Sequence, residues 1–255
     1  MGHLVHGVMA RIRSGIAELA EPLVVVALML VSTSAIAQPF YVPSGSMEPT
    51  LAIGDYLVVT KYSYGYSRYS VPFDLAPASD ARLFGRLPDR GDVAVFRVPS
   101  NPKLSYIKRV IGLPGDRIQM RGGHLFLNER EATLTRDGEG MVEFGDGHGA
   151  SVARFMETLP GGVAHVVYKM RWNGPLDDTP VFTVPPGHLF MMGDNRDDSL
   201  DSRVASAAGG VGFVPVENLV GRARWVLGSY DYLNMSLPAN WITAFRTERV
   251  LSRIE

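Results

Sequence analysis

The feature that most constrains this chain is a long stretch without charge. From Pro22 to Met47 no Asp, Glu, Lys or Arg occurs, and Leu23–Val42 is an apolar run of 20 residues. As a helix rising 1.5 Å per residue, such a run is long enough to cross a hydrocarbon core of ~30 Å. Ser32, Thr33 and Ser34 interrupt it, but hydroxyls can bond back to helix carbonyls. Arg11 and Arg13 precede it, and flanking arginines favour the cytoplasmic side. The sequence therefore predicts a cytoplasmic N-terminus over 1–21, a transmembrane anchor over 22–41, and everything after about residue 40 outside the cytoplasm. A buried core helix fits poorly, because the run is long and has no amphipathic face. A cleaved export signal is the competing reading, since Ala35-Ile36-Ala37 has the small-x-small pattern of a cleavage site.

Beyond that stretch the chain reads as a folded, β-rich protein. It has 255 residues, of which 46% are apolar and 20% charged, enough to bury a substantial core. The 27 Gly and 17 Pro punctuate short strands and turns. A net charge of −1 and the lack of a long basic run exclude nucleic acid as an expected partner. With no cysteine, thiol catalysis, disulfides and cysteine metal sites are excluded. Tyr56–Thr60, Asp92–Val98 and Tyr106–Ile111 are β-branched or alternating and read as strands. Residues 62–91, rich in Tyr, Ser, Pro, Asp and Gly, read as a long loop or extended hairpin. Arg117–Arg130 reads as a hairpin around Gly122-Gly123. The last fifteen residues, 241–255, carry Trp241, Phe245, Val250, Leu251 and Ile254 among arginines and are expected to form a short amphipathic helix.

Three segments carry candidate chemistry. Pro43-Ser44-Gly45-Ser46-Met47-Glu48-Pro49-Thr50 puts a serine in a tight turn that can expose a hydroxyl and converge backbone N–H groups; such clusters are more often plain loops. Tyr106-Ile107-Lys108-Arg109-Val110-Ile111 places a lysine inside an apolar strand, with Arg109 on the opposite face of the pleat. Desolvation there would lower the lysine pKa and make the neutral amine a base; a lysine snorkelling at a sheet edge is the commoner fate. Gly193–Arg203 (GDNRDDSLDSR) is dense in acids and hydroxyls, but Arg196 occupies the third position and no glycine follows in place, so it fails as an EF-hand calcium loop. The six histidines show no HExxH-type metal spacing.

Taken together, PSGSMEPTL followed by IGDYLVV, then YIKRVIGLPGD, then GDNRDDSLDSR resemble, in order and spacing, the conserved boxes of bacterial signal peptidase I. The resemblance covers about a quarter of the chain. It implies Ser46 as nucleophile, Lys108 as general base, and Ser199 as a hydrogen-bond partner that orients the lysine. It implies an oxyanion hole made by the Ser46 backbone N–H and the Ser44 hydroxyl. Asp201 and Arg203 would brace the site, and Gly193, Asp194 and Asn195 would shape the turn. Phe40, Val42, Met47, Leu51 and Ile107 fall where the family lines its small-residue pockets. The implied fold is mostly β: a coiled antiparallel catalytic lobe over 42–116 and 185–240, with an inserted β-rich lobe over 117–184. The implied partners are exported preproteins and the phospholipid membrane; no metal or organic cofactor is implied. Two departures stand out. The family commonly carries Asn where this chain has Asp198, and residues 204–211 intervene before Gly212-Phe213-Val214-Pro215. Two rivals remain: a cytoplasmic self-cleaving Ser–Lys repressor-type protease, and a membrane-tethered peptide-binding β-domain without chemistry. Self-cleavage after Ala37 is a further, less favoured expectation.

Overall fold

The computed structural model describes residues 20–29, 36–70, 82–143, 149–231 and 244–255. Fifteen strands, three sheets and several single 3₁₀ turns make up these residues, together with a helix over 20–29.

The main sheet begins with β1 (Ala37–Tyr41), β2 (Asp55–Thr60), β3 (Val93–Val98) and β4 (Asn101–Gly112). It is completed by β12 (His188–Met192), β13 (Val214–Pro215), β14 (Leu219–Ser229) and β15 (Ser252–Arg253). Its order is β1-β2-β14-β3-β4-β12-β13, with β15 added on β14, and every pairing is antiparallel. Burial follows the two-residue period of a pleat. Leu57 and Val59 of β2 face one core with Val93 and Val95 of β3, while Ala94 and Phe96 face a second core with Val110, Leu189 and Met191. The strand VAVFRV is apolar almost throughout because both of its faces are covered.

Between β4 and β12 the chain builds two smaller sheets. One has the order β11-β5-β6-β7, from β5 (Arg117–Arg121), β6 (His124–Leu127), β7 (Arg130–Glu131) and β11 (Phe182–Thr183). The other is the meander β8 (Thr133–Glu143), β9 (Gly149–Thr158) and β10 (Ala164–Lys169). The β5–β6 hairpin turns at Gly122 (φ 52) and Gly123 (φ 81), a two-residue connection whose left-handed backbone favours glycine.

Two expectations need correction. Residues 37–41 do not continue a membrane helix: they form β1, in register from Ala37↔Thr60 to Tyr41↔Tyr56. Gln38 and Pro39 already interrupt the apolar run there, and an edge strand tolerates proline because one side of it needs no donor. Among the described residues no helix is long and apolar enough to cross a membrane. The C-terminal residues are not a helix either. Thr247–Arg249 is one 3₁₀ turn, Ser252–Arg253 pairs with Trp225 and Val226, and Ile254 is buried in the first core. Backbone pairing of that tail with the β14 edge offers more than an isolated turn of helix does. Trp241 lies outside the described residues.

Candidate active site

Ser46 sits in the 3₁₀ turn Gly45–Met47, directly after β1. Met47 is fully buried and pins the turn to the core beneath, which leaves Ser46 half-exposed at the floor of a cleft. β4 runs past this turn and carries Lys108, whose side chain is buried. Lys108 Nζ donates a hydrogen bond to Ser46 Oγ at 2.6 Å. Burial is the main cause that pulls the Lys108 pKa down from 10.5 to about 8; Asp201 and Asp194 oppose it. About a tenth of this amine is therefore neutral at pH 7 and about half at pH 8.

The loop after β12 braces the pair from the other side. The Asn195 backbone N–H donates to the Ser46 carbonyl and its side-chain amide to the Gly45 carbonyl, both at 3.2 Å. Gly193 is required by close approach: a Cβ there would lie 2.2 Å from Ser199 Oγ and 2.4 Å from the Ser46 carbonyl oxygen. Asp201 accepts from the Gly193 N–H at 3.0 Å and from Arg203 Nε and Nη2 at 2.9 and 2.8 Å. Despite the cost of burial, the arginine, the Gly193 amide and the neighbouring Ser199 hold the Asp201 carboxyl below the usual carboxylate range. Ser199 Oγ is buried close to this carboxylate, and among the described residues it has no hydrogen-bond partner of good geometry and makes no bond to Lys108. Orientation of the lysine by Ser199 is thus not formed here; the Ser46 hydroxyl occupies the lysine instead.

Arg109, expected merely to point away from the cleft, has a structural task on its own face of β4. It is almost completely buried and forks onto Asp194 through Nε and Nη2 at 2.8 and 2.7 Å. Thr50 donates to the same carboxylate at 2.5 Å, so the pair ties the turn carrying Ser46 to the β12 loop. A second buried layer lies behind. Arg196 forks onto Glu157 at 2.7 and 2.5 Å, and His165 Nε2 stands 3.3 Å from the same carboxylate. Lys169 binds Asp177 and, at 2.6 Å, Asp197. The Tyr168 N–H and carbonyl bond Asp194 and Arg196. Through these contacts β9 and β10 hold the very loop that holds Ser46. Nothing in the sequence points to Glu157 and Lys169, since residues 117–184 carry no readable motif; the hint available was that each is a charge beside apolar or aromatic neighbours, while Arg196 lies in the acidic segment without any sign of its distant partner.

The cleft, about 440 Å³, is lined by Phe40, Tyr41 and Pro43–Ser46 on one wall and Ser105–Lys108 on the other, over Leu57 and Val95, with Asp198 and Leu200 at the rim. Ser44, Phe40 and Ile107 line this cleft. Val42, Met47 and Leu51 are not: they are sealed in the core at 1%, 0% and 0% exposure and do not line the cleft. Alternation explains Val42, because its neighbours Tyr41 and Pro43 turn outward as it turns in, and the 3₁₀ turn carrying Ser46 packs Met47 inward. Leu57, Val95 and Tyr106 take the lining positions, and the period of β2 and β3 was the available signal. Among the described residues no group of three or more His, Cys, Asp or Glu is arranged to hold a metal ion.

A serine hydroxyl hydrogen-bonded to a buried amine of lowered pKa, at the floor of an apolar cleft, is an arrangement suited to acyl transfer. Together, fold and site define a mostly β serine peptidase. More particularly, the family model described as "Signal peptidase, peptidase S26" matches residues 16–228, and the chain belongs to that family. It is 38% identical over 247 residues to a protein named Signal peptidase I from Rickettsia conorii, covering 90% of each chain. It is 39% identical over 254 residues to the protein of the same name from Rickettsia typhi, covering 93% of each. A solved signal peptidase I from Enterococcus faecalis aligns with 54% of this chain and 97% of its own, at 25% identity and a TM-score of 0.31.

Proposed function

We propose that this chain removes signal peptides from exported preproteins, cutting after a small-x-small site such as Ala-x-Ala, with Ser46 as nucleophile and Lys108 as general base. The observation that carries the reading is the 2.6 Å contact between Lys108 Nζ and Ser46 Oγ, with the amine buried and its pKa drawn down to about 8. Neutral Lys108 takes the Ser46 proton as Oγ bonds to the substrate carbonyl carbon. The Ser46 N–H and the Ser44 hydroxyl receive the developing oxyanion. Collapse breaks the C–N bond, and Lys108 returns the proton to the leaving amine. Water then attacks the ester, again through Lys108, and releases the signal peptide.

The cleft suits an extended substrate. β4 is paired with β3 along Ser105–Lys108, but its pairing with β12 begins only at Arg109, so among the described residues no strand covers the other edge of that length of β4, which lines the cleft. An added strand can satisfy it. Phe40, Leu57, Val95 and Ile107 form apolar walls that reject large side chains by overlap.

The N-terminal segment supports a single-pass membrane anchor, with the catalytic region on the outer face of the cytoplasmic membrane. Along the helix over 20–29, Leu23, Val24, Val25, Val26, Leu28 and Met29 are all more than half exposed. A helix apolar all round asks for lipid. Alkaline extraction of membranes and protease protection of the intact chain measure this; release into the supernatant would remove the anchor.

The decisive experiment is cleavage of a preprotein with an Ala-x-Ala site, in detergent, by the wild type and by Ser46→Ala and Lys108→Ala. The expected result is a cut after the second alanine by the wild type and folded, inactive variants. Residual cutting by Lys108→Ala would assign the base elsewhere. An intact substrate with the wild type would overturn the function.

A further inference from the structure

Asp198 is the one formal charge the cleft presents to a substrate once Lys108 is neutral. Of the residues lining the cleft, only Lys108 and Asp198 are ionisable as acid or strong base. Lys108 is buried, whereas Asp198 is exposed. The Asp198 backbone is fixed by a turn, its N–H donating to the Asn195 carbonyl at 3.2 Å, and Ser199 beside it is locked in the packed wall behind Gly193. Its carboxylate nevertheless forms no ion pair or hydrogen bond with any described residue. The neighbouring acids are all engaged: Asp194 by Arg109, Asp197 by Lys169 and Asp201 by Arg203. One carboxylate of four in this loop has thus been left facing the cleft and unneutralised.

Its position in the reaction follows from the chemistry proposed above, on which this inference rests. Lys108 has to deliver a proton to the leaving nitrogen, so the residues just after the scissile bond pass the lysine amine. Asp198 is close enough for its charge to act on that amine. The apolar walls of Phe40, Leu57, Val95 and Ile107 are left for the residues before the cut.

We propose that Asp198 is a specificity-determining residue, which favours a cationic side chain and rejects an acidic one at the first two residues after the cleavage site. An exposed pair of this kind is weak, and a like-charge pair is unfavourable by a similar amount. Lysine and glutamate substrates should then differ by roughly tenfold in kcat/KM at low salt.

The test uses the full chain in detergent and preproteins that share one Ala-x-Ala site, with Lys, Gln or Glu at the second position after the cut, and then at the first. The wild type is expected to rank Lys over Gln over Glu at one or both positions, the spread narrowing as ionic strength rises and the Debye length falls below ~10 Å. In Asp198→Asn the Lys-to-Glu ratio should fall close to one, and in Asp198→Lys it should invert. The inversion is a readout that mere loosening of the loop would not give. If the wild type cuts the Gln substrate but its Lys-to-Glu ratio matches that of both variants, the assignment of Asp198 is overturned while the peptidase reading stands. If the wild type cuts none of the three, the peptidase reading falls and this assignment with it.

Discussion

At the scale of single residues, the role proposed for Lys108 ties catalysis to stability. Because its pKa lies at about 8, kcat/KM should rise with pH and reach half its plateau near that value. A rate that stays flat into mildly acidic solution would count against lysine as the base. The same lysine binds its proton less tightly when folded than when unfolded, so unfolding takes up a proton between about pH 8 and 10.5. Its contribution to stability therefore rises with pH through that window and is least favourable below it. Lys108→Met should abolish cleavage and yet raise the unfolding temperature at pH 6–7, by a stabilisation on the order of 1–3 kcal/mol. Thermal unfolding of both proteins across pH 6–10 checks the sign. Gly193→Ala is the complementary case. Its methyl would meet a backbone carbonyl at 2.4 Å as well as Ser199, so activity should fall by roughly a hundredfold or more, as reacting groups displaced by about an ångström do. Ser46 and Lys108 were marked out by the family resemblance of their segments, since alone a serine in a Gly/Pro turn reads as a plain loop and a lysine in a strand as a snorkelling side chain. Val42, Met47 and Leu51 could not be told from true cleft residues, since an apolar side chain looks the same whether it floors a pocket or fills the core beneath. Backbone alternation turns Val42 inward between Tyr41 and Pro43, and the 3₁₀ turn around Ser46 with the bend after it turns Met47 and Leu51 inward.

At the scale of elements, β9 and β10 act as a brace rather than an ornament. Glu157 stands opposite Arg196, both nearly inaccessible. Removing one charge would leave the other buried and alone, which costs about 3–5 kcal/mol. Glu157→Gln is therefore expected to lower stability by about that amount, and to lower kcat more than it raises KM, because the loop holding Ser46 loses its support. Chemical denaturation together with steady-state kinetics measures both; a variant with normal stability would show the pair to be idle. Strands were the most legible elements. DYLVVT, VAVFRV and the Gly-Gly hairpin carry their own period or turn chemistry. The C-terminal tail was illegible for the opposite reason: Val250, Leu251 and Ile254 suit a helix face by spacing, and it is the unpaired edge of β14, not the tail itself, that makes Ser252–Arg253 a strand. The 117–184 segment hides its role because a buried ion pair is made by two residues 39 positions apart.

For the whole molecule, acid is the expected weak point. Glu157, Asp194 and Asp201 are buried, and their arginine partners and hydrogen bonds hold their carboxyls below the ordinary values of 4.5 and 3.8. Depressed folded pKa values give stability that is complete above the unfolded values and is lost as the pH falls below them. The unfolding temperature should thus change little from pH 7 to about 5 on account of these groups and drop steeply below about pH 4. In Glu157→Gln the acid slope should be shallower. A melting series from pH 3 to 7 reads both. Global topology was less legible than local structure. The main sheet joins residues 37–112 to residues 188–253 across two intervening sheets, and no local pattern encodes a pairing such as β2 with β14.

The register of β1 has one more consequence. Ala37 is already fixed opposite Thr60, and Ser46 follows it by only nine positions. Fully extended, those residues reach no more than about 30 Å. If, as proposed, the apolar stretch is held in a bilayer and Ser46 is the nucleophile, that hydroxyl would be on a short leash and would work in a thin layer of space above the lipid. Choice of substrate would then be made partly by altitude: a small-x-small sequence carried in a soluble domain far from the membrane would stay out of reach, and one emerging at the surface would meet the nucleophile at once.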